Sequence, residues 1–149
     1  MNSVRKKVVL DTNTIISAAI NAASISGALY LYTLKHCELY RSDETTYELE
    51  VVLNRPFMDR YFTADAPQTR TNFLERYKKQ AKHVTVTKTV TRCIDPKDNM
   101  FLALAETIHA DYLVSGNVKH LNILVEHEGT PIVTNRQFLA DVAPSLLMN

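Results

Sequence analysis

The period of apolar and polar positions changes repeatedly along the chain. Lys7-Val8-Val9-Leu10 is a short β-branched run that ends at Asp11, and it predicts a strand. Thr14 to Ala23, rich in Ile and Ala, predicts a helix, and a second is predicted over Ser24 to Lys35, where Ala28, Leu29, Leu31 and Tyr32 give a broad apolar side. Cys37 to Arg41 reads as the next strand. Ser42 or Asp43 then caps a helix running to about Asn54 and stopping before Arg55-Pro56. A more polar stretch follows, in which Pro67 suits a first helical turn and Phe73, Tyr77 and Ala81 recur every four residues. Val84 and Val86 alternate with Thr and predict a strand. Asp95-Pro96 opens a helix to about His109, and Tyr112 to Ser115 and Pro131 to Thr134 are further strands. Thr134 with Gln137 forms a capping-box pattern for a last helix through Phe138 and Leu139.

Strands separated by helices predict an α/β fold, a three-layer α/β/α sandwich with a central parallel sheet. The length of 149 residues fits one domain spanning 1–149, with no repeat and no linker. In such a fold ligands sit beyond the carboxyl ends of the strands, at the switch point of the sheet. The polar residues that directly follow strands are therefore the candidates. Asp11, Thr12 and Asn13 follow the first strand, and Ser115, Gly116 and Asn117 follow the fourth. These two loops are neighbours if the first strand is central.

Composition narrows the partners. A net charge of +1 gives no global attraction to polyanions, so any nucleic-acid contact must come from a local patch. Arg5-Lys6-Lys7 and Arg76-Tyr77-Lys78-Lys79-Gln80 are the basic runs, and each also reads as ordinary solvated surface. Phe57, Tyr61 and Phe62 read as core or dimer contacts rather than as platforms for bases. Cys37 and Cys93 are isolated and read as small buried apolar side chains, and His36 beside Cys37 is too few ligands for structural zinc. The apolar run at Val8-Val9-Leu10 is too short for a signal-peptide core or a membrane span, which predicts a soluble cytoplasmic protein. No Gly-x-x-x-x-Gly-Lys, Gly-x-Gly-x-x-Gly or Gly-x-Ser-x-Gly motif is present, so nucleotide-binding glycine loops and the α/β-hydrolase elbow are excluded.

Three acidic positions remain, and each has a plain structural reading. Asp11 can cap the helix after the first strand, as can Asn13. Glu48 lies mid-helix, where Glu is a good former. Asp95-Pro96-Lys97-Asp98 is ordinary helix-opening chemistry, with the dipole favouring the acids. Local physics does not account for the set. Val-Val-Leu-Asp-Thr-Asn at 8–13, Glu48-Leu49-Glu50-Val51-Val52-Leu53, Asp95-Pro96-Lys97-Asp98-Asn99 with Leu102-Ala103, and Ala110-Asp111-Tyr112-Leu113-Val114-Ser115-Gly116-Asn117 occur in that order. With the ending Gly129-Thr130-Pro131-Ile132-Val133-Thr134 and Phe138-Leu139, the chain resembles the PIN domain family of nucleases and, within it, the VapC-like toxins.

The resemblance implies a metal-dependent endoribonuclease, the toxin component of a toxin–antitoxin pair, with RNA as substrate and an antitoxin protein and further copies of itself as partners. It implies Asp11, Glu48 and Asp98 as the catalytic acids that bind Mg²⁺ or Mn²⁺, with Asn117 as a further ligand. Asn13, Ser115 and Asp95 would orient carboxylate or phosphate. The chemistry suits these residue types, because crowded carboxylates repel one another until a hard cation neutralises them. The chain departs from the family where many members carry a fourth acid, because Asn117 and His120 stand at those positions. Two other readings stay open. One is a non-catalytic RNA- or protein-binding module on the same fold. The other is a phosphohydrolase with Asp11 as nucleophile, for which Asn13 stands where a second Asp is needed.

Overall fold

The computed structural model describes residues 4–62 and 68–148. Among them six strands form one sheet: β1 (Lys7–Leu10), β2 (Glu38–Arg41), β3 (Lys82–His83), β4 (Tyr112–Val114), β5 (Glu126–His127) and β6 (Thr130–Val133). Their order is β3-β2-β1-β4-β6-β5, so β1 is interior and borders β4. Every neighbouring pair is parallel except β5 with β6. The helices are α1 (Thr12–Ile20), α2 (Ile25–His36), α3 (Asp43–Leu53), α4 (Thr69–Gln80), α5 (Asn99–Ile108) and α6 (Asn135–Val142).

Strand alternation divides the core. Val8 and Leu10 of β1 face a cluster filled by Ile15 and Ile16 of α1, Leu29 of α2, Leu49 and Leu53 of α3, Tyr77 of α4 and Phe138 of α6. Val9 faces the opposite way, onto Phe101, Leu102, Leu104 and Ile108 of α5. The result is the expected three-layer α/β/α arrangement, with α5 packed on one side of the sheet. Cys37 and Cys93 are both buried free thiols, as expected. Burial pushes the Cys93 thiol up to about 11, which keeps it protonated. No single helix among the described residues is long and apolar enough to cross a membrane.

Helix starts follow side-chain chemistry. Asp11, Ser24, Ser42 and Thr134 each accept a backbone N–H in the first turn, and Ser42 with Thr45 and Thr134 with Gln137 close reciprocal capping boxes. Gly27 is required by a close approach, because a Cβ there would lie 2.2 Å from the Ala22 carbonyl oxygen.

Several expected boundaries move. The first helix starts at Thr12 and ends at Ile20, because Asp11 takes the cap. The strand expected at Val84 and Val86 is instead Lys82–His83, paired with β2. Val84 and Val86 do turn inward against the α5 cluster while their Thr neighbours face solvent, so the alternation is real without a full ladder. The helix expected from Asp95-Pro96 begins as a short 3-10 turn, Pro96–Asp98, before α5. The sheet carries an antiparallel edge, β5, that the sequence reading does not contain. Pro67, expected in the first turn of α4, lies outside the described residues.

Candidate active site

Asp11 stands immediately beyond β1, 3% exposed, with its backbone N–H donating to the Val114 carbonyl at 3.0 Å. Its Oδ1 accepts the Thr14 N–H at 2.9 Å, the helix cap, and its Oδ2 accepts the Ser115 hydroxyl at 2.6 Å. Capping and site membership are therefore the same placement rather than rival readings. Ser115 is fully buried after β4, and its Oγ accepts the Asn117 N–H at 2.9 Å. Asn117 then donates from Nδ2 to Asp98 Oδ2 at 3.3 Å. A continuous chain of hydrogen bonds thus runs from Asp11 through Ser115 and Asn117 to Asp98.

The 3-10 turn explains why Asp98 is available to this chain. Asp95 caps the turn by accepting the Lys97 N–H at 3.0 Å, whereas Asp98 makes no capping bond to α5. Asp98 looks like helix-opening chemistry in the sequence, yet its carboxylate is spent on the cleft. Glu48 comes from the middle of α3. Asp11, Glu48 and Asp98 line one small cleft of about 60 Å³ together with Asn13 and Asn117. Asp95 is outside that lining and acts by holding the turn.

Charge crowding is visible at Asp98. Burial pushes its pKa above the usual carboxylate range, and the Asp95, Asp11 and Glu48 carboxylates push the same way, partly offset by His120. The Nδ1 of His120 is buried without a hydrogen-bond partner among the described residues. No three His, Cys, Asp or Glu side chains among the described residues are close enough together to hold an ion as they stand. The donor set is nevertheless suited to a hard divalent cation, since three carboxylates and the amide side chains of Asn13 and Asn117 share the cleft, and the carboxylates repel in its absence.

Thr12, one of the polar residues expected after the first strand, also lines the cleft, and so do two residues not singled out, Phe101 and Lys97. Phe101 is a core residue of α5 that also borders the cleft, and periodicity assigns it to packing. Lys97 sits in the first turn of a helical segment, and the sequence shows it only as part of the helix-opening run Asp95-Pro96-Lys97-Asp98. The one available signal was its place between Asp95 and Asp98, within a motif already noted.

Solved structures support the architecture. The chain is similar to VapBC2 from Rickettsia felis bound to a DNA fragment from their promoter, at 15% identity and a TM-score of 0.57, over 86% of this chain and 98% of that one. It is also similar to PAE2754 from Pyrobaculum aerophilum, at 16% identity and a TM-score of 0.60, over 95% of this chain and 90% of that one. At these identities the likeness speaks for the fold. No curated protein sequence matches the chain. The family model described as PIN domain matches residues 7–119, a span that contains Asp11, Glu48, Asp98, Ser115 and Asn117, and the chain belongs to the PIN domain family.

Proposed function

We propose that the protein is a Mg²⁺- or Mn²⁺-dependent endoribonuclease, the toxin half of a toxin–antitoxin pair. The observation that carries this reading is the convergence of Asp11, Glu48 and Asp98, from three separate elements, on one cleft at the carboxyl ends of β1 and β4. PIN domains are typically nucleases, and the likeness to a VapBC complex supports an antitoxin partner. The cleft opens to solvent, so the phosphodiester of an RNA strand would reach the acids from outside.

Asp11, Glu48 and Asp98 would hold the cation, with the side-chain oxygen of Asn117 as a further ligand, while the Asn117 amide nitrogen donates to Asp98. When bound, such an ion supplies an activated water and neutralises charge on the phosphodiester. Ser115 holds Asp11 in one orientation through the 2.6 Å bond, and Asp95 fixes the turn that presents Asp98. Exposed Phe57 and Tyr61 offer an apolar surface for association with a second copy.

The neutral Asn117, where many family members carry an acid, keeps open a second reading, a binding module that does not cut. Incubation of single-stranded RNA with the protein in Mn²⁺, with EDTA, and with the Asp11→Asn variant separates the two. Cleavage lost in EDTA and in Asp11→Asn supports the nuclease. Binding without cleavage at any Mn²⁺ or Mg²⁺ concentration supports the module, and phosphoryl transfer onto Asp11 would support a phosphohydrolase.

A further inference from the structure

Lys97 is the one cation among the residues lining the acidic cleft, and its placement is built. Pro96 sets the start of the turn, the Asp95 carboxylate accepts the Lys97 N–H at 3.0 Å, and the Asp98 N–H donates to the Asp95 carbonyl at 3.0 Å. The backbone at Lys97 is thereby held from both sides. Its ammonium makes no ion pair with any carboxylate among the described residues, although three carboxylates line the same cleft. An exposed cation beside acids that it leaves unpaired is free to meet an anion arriving from solvent.

We propose that Lys97 binds a backbone phosphate of the RNA at the opening of the cleft, next to the phosphodiester that is cut. This rests on the nuclease reading above. The chemistry follows from charge: a strand laid across three carboxylates is repelled wherever no cation intervenes, and Lys97 supplies a positive charge at that edge without using any metal-binding oxygen. It anchors the strand and takes no part in bond making.

Steady-state cleavage of a single-stranded RNA oligonucleotide in saturating Mn²⁺, measured across a range of KCl concentrations, tests this. Lys97→Met should raise KM by about tenfold, the usual worth of a charge-assisted contact, and leave kcat within about twofold. The slope of log KM against log salt should become shallower by roughly 0.7, the loss of one phosphate contact to a single strand. Lys97→Arg should restore both. RNA binding by the Asp11→Asn protein, with and without Lys97→Met, should show the same difference in salt slope. A protein that cleaves RNA with KM and salt slope unchanged by Lys97→Met overturns the assignment alone, as does a fall in kcat with KM unchanged. Failure of the wild-type protein to cleave RNA overturns the nuclease reading and this inference together.

Discussion

Asn117 Nδ2 lies 3.3 Å from a carboxylate oxygen of Asp98, so the residue that replaces a fourth acid also steadies the third. Asn117→Asp would set two carboxylates at that separation. Like charges about 4 Å apart repel by ~4 kcal/mol at an effective dielectric of 20, part of which protonation relieves. The metal-free variant should therefore melt earlier, by roughly 1–3 kcal/mol of stability, and gain more from Mn²⁺ than the wild type does. Cleavage at low Mg²⁺ should rise while cleavage at saturating Mg²⁺ changes little. Melting curves in EDTA and in Mn²⁺, paired with rates across Mg²⁺ concentrations, check both halves. A drop in activity at every Mg²⁺ level would instead place Asn117 against the phosphate.

At the scale of elements, two contacts decide how the layers hold. Gly27→Ala should destabilise the protein by about 1–3 kcal/mol, because the added methyl meets the Ala22 backbone 2.2 Å away and α2 must shift from the end of α1. Urea denaturation checks this, and a midpoint equal to that of the wild type would contradict the clash. On the other side of the sheet, Glu106 at the end of α5 binds Lys88 Nζ at 3.0 Å and His127 Nε2 at 2.9 Å. Arg92 can only donate to His127 Nδ1, which leaves Nε2–H as the ring donor to Glu106. Lys88 and then His127 hold the Glu106 carboxyl below its ordinary value. A depressed carboxyl contributes stability above its unfolded pKa, near 4.5, and loses it as pH falls through the folded one. Glu106→Ala should cost about 1–3 kcal/mol at neutral pH by leaving the buried His127 N–H unpaired, and should flatten the acid side of the melting profile. Most of these elements are legible in the sequence, because capping boxes and β-branched runs act over a few residues. The short strand β5 is not, since two residues cannot display a period, and Asp98 misleads because a 3-10 turn moves the helix start by three residues. Lys97 is hidden because sequence order puts its turn at the site through Asp98 but does not say which other side chain of that turn lines the cleft.

For the whole molecule, the cleft is the place where the native state is under self-repulsion, so ligand linkage should be large and specific. Mn²⁺ at 100 times its dissociation constant adds about 2.7 kcal/mol to the state that binds it, roughly 5–10 °C in melting temperature for a chain of this size. Asp11→Asn should remove most of that shift while raising the melting temperature in EDTA, because Asn still caps α1 and one negative charge is gone. Calorimetry with and without Mn²⁺ measures both, and an unchanged shift in the variant would place the ion elsewhere. The topology that gathers the acids also sets when they can meet. The hydroxyl–carboxylate bond from Ser115 to Asp11 joins positions 104 apart. On the ribosome Asp11 emerges long before Ser115 is made, and β1 has no interior place in a sheet until β4 arrives beside it. A nascent or prematurely terminated chain that stops short of this loop lacks Ser115 and Asn117, and its Asp11 keeps only the local cap to Thr14. On the nuclease reading proposed above, cutting would then require a chain long enough to include this loop.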